Sequence, residues 1–181
     1  LALTGSGGDL VYGSAIDSSG NIYMAGTITG YMDADPSPTS DVTLTSAGGS
    51  DVFVTKYNSN GEYIWAKQFG TTSNDYAYGI DVDSAGNVYV TGTFQNTVDF
   101  DPGVGTYTMT SYGSDDDYFL KLSTDGNFVW AKQIGTVDDD RSIAITIDSN
   151  DNVLATGYFR NTTDFNPARL ETSRITSWPL L

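Results

Sequence analysis

An all-β repeat array is the fold class this sequence predicts, and three observations predict it. One unit is written nearly three times: Tyr12 to Thr27 reads YGSAIDSSGNIYMAGT, Tyr78 to Thr93 reads YGIDVDSAGNVYVTGT, and a worn copy, SIAITIDSNDNVLATGY, starts at Ser142. Equivalent landmarks (Asp17, Asp83, Asp148; Gly26, Gly92, Gly157; Trp65, Trp130) lie 65 or 66 residues apart. A fixed period of this size marks an architecture whose units bury their faces on their neighbours. The segments are short and rich in β-branched and aromatic residues, and none shows a helical period.

The copy beginning at Asp75 supplies the elements in order. YGIDVD is a short strand, and SAGN is a turn in which Gly86 and Asn87 tolerate positive φ. NVYVTGTF is a second strand. A polar insert, roughly 95–114, follows it. DYFLKLS and NFVWAKQ are a third and fourth strand, joined by the hairpin signal Thr124-Asp125-Gly126. Each unit is therefore read as four antiparallel strands. Tyr118, Leu120 and Leu122 point one way, with Phe119 and the stem of Lys121 the other; Phe128 and Trp130 oppose Val129 and Ala131. A sheet with one wet face would alternate more cleanly. Sheets covered on both sides fit a β-propeller blade wedged between two others. A β-sandwich with similar halves is the competing reading, but a sandwich needs no fixed period.

The units divide the chain into the end of a preceding blade (1–8), repeat 1 (9–74), repeat 2 (75–139) and a partial repeat 3 (140–181). DSAGNVYVTGTF, VDFDPG and the hairpin ending NFVWAKQIG resemble the seven-bladed β-propeller repeat (SBBP) of bacterial secreted and cell-surface proteins. The third copy departs from the pattern, with Asp151 at the turn glycine, Asn166 at the second loop Asp and Ala168 at the loop glycine. The resemblance implies a propeller and an extracellular or cell-surface setting, and it brings no catalytic residues. Two full blades and two partial ones cannot close a ring of about four to eight. The expectation is continuation in a longer chain, with a homo-oligomer completing the ring as the other option.

Composition narrows function. The net charge of −15 comes from 23 acids against 8 bases, and 21 of the acids are Asp, a residue of turns, caps and hard-cation sites. Such a field repels nucleic acid and anionic membranes. With no Cys and no His the chain lacks disulfides, thiolate nucleophiles and the usual neutral-pH base. No apolar stretch reaches the roughly 18–20 residues of a membrane helix. The start, LALTGSGG, has neither a basic n-region nor an initiating Met and reads as a mature or excised piece.

The residues singled out for chemistry are the acidic loops after each second strand: Asp33 and Asp35, Asp99 and Asp101, Asp164 and Asn166. In extended backbone, residues i and i+2 share a side, so each pair converges while Phe100 or Phe165 points away as an anchor. Two readings stay open: a Ca²⁺ site with oxygen ligands, the one cofactor considered, or Asx-type turns capping backbone N–H groups. Asp117 is read as the register partner of Asp51, and Asp140 as that of Asp75 and Asp9, both serving blade geometry; Asp115 and Asp116 are read as solvated. Lys56 with Lys121, and Lys67 with Lys132, are expected to pair with carboxylates such as Asp81 or Asp83. Trp65 and Trp130 are expected to pack in the core. No nucleophile elbow or phosphate loop is present; a carboxylate-only glycosidase or lyase is the third and least favoured reading, because repeated Asp pairs in like environments do not readily supply a distinct acid and base. The functional expectation is a non-catalytic surface scaffold or adhesion module binding protein or glycan. The alternative is a calcium-stabilised carbohydrate-binding propeller using Tyr31, Tyr107 or Tyr112.

Overall fold

The computed structural model describes residues 3–160. In chain order the strands are β1 (Thr4–Ser6), β2 (Leu10–Ile16), β3 (Ile22–Ile28), β4 (Tyr31–Asp33), β5 (Thr43–Thr45), β6 (Asp51–Tyr57), β7 (Tyr63–Phe69), β8 (Tyr76–Val82), β9 (Val88–Phe94), β10 (Thr97–Asp99), β11 (Thr108–Thr110), β12 (Asp116–Leu122), β13 (Phe128–Ile134), β14 (Arg141–Ile147) and β15 (Val153–Tyr158). Among the described residues there is no helix. Blade 1 is the antiparallel sheet β2-β3-β6-β7, blade 2 is β8-β9-β12-β13, and β14-β15 begins blade 3. These are propeller-type blades in a row that does not close. The first strands, β2, β8 and β14, pack against one another and form the hub side.

Apolar seams hold the row together. Tyr23, Ala25, Val52, Val54, Trp65 and Phe69 of blade 1 share one core with Ala77, Ile80, Val88, Val90, Phe94, Tyr118, Leu120 and Leu122 of blade 2. Tyr89, Phe119 and Ile134 of blade 2 share a second with Ile145, Val153 and Ala155 of blade 3. The third strand thus splits between its faces as the alternation predicts. The fourth strand does not. Register shifts at Ile64 and Val129 leave those residues exposed, 43% and 47%, and send Phe128 into the first core while Trp130 joins the second. Phe128 and Trp130 therefore lie on opposite faces, because a bulge flips every side chain beyond it.

The polar insert also holds structure that its composition hides. β4 pairs with β5, and β10 with β11, as short hairpins. Val98, Phe100 and Met109 of the second hairpin fill the seam beside Phe69, whose ring stands 5.5 Å from that of Phe100. β1 pairs with β4.

Glycine sets the spacing of the hub. A Cβ on Gly13 would stand 3.0 Å from Ile80 Cγ2, and one on Gly79 would stand 2.9 Å from the Ile145 nitrogen and 3.1 Å from Ala144 Cα. The neighbours of Gly79 are backbone and cannot step aside. Replacing Gly79 by Ala should cost about 1–3 kcal/mol as overpacking; urea unfolding of Gly79→Ala against Gly8→Ala, where a Cβ would meet only Thr29 Oγ1 at an ordinary 3.7 Å, measures it.

Candidate functional site

Repeated aspartates organise the polar parts of each blade. Asp17 Oδ1 accepts from the N–H groups of Ser19 and Asn21 at 2.9 Å each, and its Oδ2 from Asn21 Nδ2 (2.8 Å) and the Tyr23 hydroxyl (3.0 Å). Asp83 and Asp148 repeat this cap over the next two turns. Burial pushes the Asp17 and Asp83 carboxyls up, but the hydrogen bonds from Asn21 and Asn87 outweigh it, so both lie below the ordinary value. Asp151 stands where the first two turns have glycine, at a φ of 60°, and its carboxylate accepts from the Ser84 amide (2.9 Å) and hydroxyl (2.7 Å) across the seam. Asp9, Asp75 and Asp140 tie the start of each first strand to the chain leaving the second, accepting from the amides of Thr29 (3.1 Å), Gln95 (3.0 Å) and Arg160 (2.8 Å). Asp75 is fully buried, which pushes its pKa up to about 6.

The acidic loops behave as Asx turns. Asp33 Oδ1 accepts from Asp35 (3.0 Å) and Val42 (2.9 Å) amides, and Asp99 Oδ1 from those of Asp101 (3.0 Å) and Tyr107 (2.8 Å). Asp35 and Asp101 cap Ser37 and Gly103. The amides of Val42 and Asp35 hold Asp33 below its usual value. Phe100 is the buried anchor, with Ala34 in its place in blade 1. Asp164, Phe165 and Asn166 lie outside the described residues. Among the described residues no three acidic side chains gather round one point.

Two expectations for the Asp115 to Asp117 run need correction. Hairpin register matches Asp116, not Asp117, to Asp51: these residues face Phe94 and Ile28, themselves equivalent. Asp116 is fully buried and accepts from the Tyr112 amide (3.0 Å) and Gln133 Nε2, as Asp51 does from Ala47 and Gln68. Asp115 accepts from Gln95 Nε2 (2.6 Å) and stands 3.9 Å from Arg141. Neither is merely solvated, because β12 starts inside the seam. Asp117, which aligns with Val52, is buried and accepts the Ser142 amide. Burial pushes its pKa up to about 8.

Of the lysines, Lys121 pairs with Asp83 at 3.3 Å and covers the Tyr89 ring at 4.7 Å. Lys56 instead donates to Thr124 O (3.0 Å) and Oγ1 (2.9 Å), over the ring of Tyr23. Trp65 Nε1 donates to the same Thr124 carbonyl at 3.1 Å. Blade 1 thereby clasps the 123–127 turn of blade 2, a structural role for both residues.

The exposed chemistry lies at the hub, where the sequence reading did not look. The first strands bulge at Tyr12, Tyr78 and Ile143. Bulges re-aim side chains and are frequent beside functional sites. The Tyr12 and Tyr78 rings meet edge-on at 5.5 Å, Tyr76 stacks on Tyr78 at 5.8 Å, and the Arg141 guanidinium lies 5.2 Å from the Tyr78 centroid. Tyr12 is 44% and Ile143 54% exposed. This ladder crosses three blades and offers flat aromatic area beside one cation. The repeated Tyr-Gly pair, Tyr12-Gly13 and Tyr78-Gly79, was its signal. The loop aromatics Tyr31, Tyr107 and Tyr112 are all exposed, and the Tyr107 ring also leans on Phe128 with centroids 4.9 Å apart.

The resemblance read from the sequence holds: the family model of the SBBP beta-propeller repeat matches residues 64–93. The chain is 26% identical, over 79% of its length, to an uncharacterised WD repeat-containing protein of Acanthamoeba polyphaga mimivirus, and 24% identical, over 76%, to the regulatory protein FlaEY of Caulobacter vibrioides. It spans 12% and 14% of those relatives' lengths.

Stability should fall as pH rises from about 4 to about 8. Asp75 and Asp117 hold protons in the folded state that the unfolded chain, at 3.8, has released, so the stabilisation is fully present below the unfolded value and is lost through about 6 and then about 8. Asp17, Asp33, Asp83 and Asp148 act oppositely, losing their contribution as pH falls below the unfolded value. Melting temperatures from pH 4 to 9 should therefore peak near the acid end, and Asp117→Asn should flatten the decline between pH 6 and 8.

Proposed function

We propose that this chain is part of a non-catalytic interaction scaffold whose contact surface is the hub ladder of Tyr12, Tyr76, Tyr78, Arg141 and Ile143. The single observation that carries this reading is that bulges at one repeated position on three adjoining strands deliver Tyr12, Tyr78 and Ile143 to one surface, with Tyr12 and Ile143 exposed and Tyr76, Tyr78 and Arg141 half-buried beside them. The buried carboxylates support it from the other side, because their partners are backbone amides and neighbouring side chains of the blades themselves. A WD-repeat relative and the propeller repeat are in keeping with a protein partner. Aromatic area with an Arg suits the centre of such an interface. An extracellular or bacterial-surface setting, implied by the resemblance, belongs to the same proposal.

Photo-crosslinking from position 143 in cells of the source organism should trap a discrete partner. Tyr12→Ala with Arg141→Ala should reduce the yield at least tenfold while leaving the circular dichroism spectrum unchanged. The same partner trapped equally well by the double variant would end the reading.

Calcium at the acidic loops is a second proposal, resting on the paired carboxylates Asp33/Asp35 and Asp99/Asp101, each pair held on one rigid turn. Titration calorimetry with CaCl₂ should give heat that Asp99→Asn halves. No heat, together with an unchanged melting temperature in chelator, leaves these loops as turns alone.

A further inference from the structure

The two blade seams are built from the same positions with opposite chemistry. Between blades 1 and 2, the residues Ala15, Ala25, Val52 and Ala77 belong to or pack against one apolar core, the last three with no exposed surface. Their equivalents between blades 2 and 3 are Asp81, Thr91, Asp117 and Ser142. Each of these four is hydrogen-bonded at the seam. Asp81 Oδ2 accepts from Thr146 Oγ1 (2.9 Å) and the Ile147 amide (2.7 Å), Asp117 accepts from the Ser142 amide, and the Ser142 and Thr91 hydroxyls share a bond of 2.6 Å. Four positions have changed together, so at these positions neither seam sets a polar group against an apolar one. A mixed pairing would bury a carboxylate against alkyl groups and forfeit its partners.

Blade 1 has a receiving face like those of blades 2 and 3, and it is open. Val11 is the equivalent of Ala77 and Ser142, which are 0% and 2% exposed, yet Val11 is 51% exposed, with Leu10 at 52% and Ile16 at 66%. A cavity of about 290 Å³ runs along this face, lined by Leu3, Asp9, Leu10, Val11, Met24 and Met32 and floored by Phe53. Its outer part is already filled in the manner of a seam. Leu3 packs with Ile28, Ala34 and Phe53, whereas the first seam seats Phe69 among Phe94, Phe100 and Tyr118, the equivalents of those three.

We propose that the open face of blade 1 seats another blade of the same repeat, and that Val11 selects one of the apolar kind, with Ala- and Val-like residues at the positions of Ala25 and Val52. Leu3 then belongs to the fourth strand of that blade, continuing the interface blade 1 makes with blade 2. The far side of blade 3 presents the exposed Thr156 at the position of Ala25, whereas the hydroxyl of Thr146, at the position of Ala15, is already bonded to Asp81, so a second copy of this chain offers the wrong chemistry.

The test places one extra blade directly ahead of Leu1 in the full chain, keeping the period. One fusion uses residues 9–66 (apolar kind) and the other 75–131 (polar kind). Amide hydrogen exchange of β2 is the readout. The 9–66 fusion should slow exchange of Leu10–Ile16 at least tenfold and raise the melting temperature. The 75–131 fusion should not, and Thr91→Ala with Asp117→Val in its added blade should restore protection. Equal protection by both fusions, or by neither, overturns the proposal. So does concentration-dependent self-association of the unmodified chain that Val11→Asp abolishes, which would make a second copy the occupant.

Discussion

Every complete sheet in this protein carries apolar side chains on both faces, and from that constraint the remainder follows. A blade standing alone would expose one of its two cores, so its stability is shared with its neighbours. The first seam shows what the sharing involves. Large rings from β7, β9, β12 and the insert, Phe69, Phe94, Tyr118 and Phe100, interlock at the wide end. Glycines at the hub let the first strands close to backbone contact. A wedge needs bulk at one end and almost none at the other.

Aspartate does the polar work that such a wedge demands. Short strands end often, and each ending exposes amides that the seam removes from water. Asp is short enough to turn back on its own loop, as Asp17 and Asp83 do, and to bridge strands, as Asp75 does. Glu would overreach these distances, which gives a physical reason for 21 Asp among 23 acids. The acidity that looks like a surface field is therefore partly internal. Asp75, Asp116 and Asp140 have no exposed surface at all.

That internal use also separates structure from function. The carboxylates most perturbed by burial bond to amides that close the blades, whereas the half-exposed ladder at the hub is held by contacts between its own rings and with Arg141, which also faces Asp115. The second seam adds a layer of specificity, since its polar set around Asp117 and Ser142 is satisfied only when blade 3 follows blade 2.

Period, strand order and the glycine turns were determined by the sequence alone, because each is local: a glycine turn, a hairpin signal and an alternating strand recur at fixed spacing. So was the anchoring role of Phe100. Tertiary structure alone decided which aspartates are buried, because Asp116 and Asp117 look identical until pairing with β9 and β13 sets their directions. It likewise decided where Phe128 and Trp130 point, since a single extra residue at Val129 inverts the alternation. The insert hairpins and the Tyr12–Tyr78–Arg141 ladder fall in the same class. Their partners come from other strands or other blades, and no short window of sequence contains both sides of such a contact.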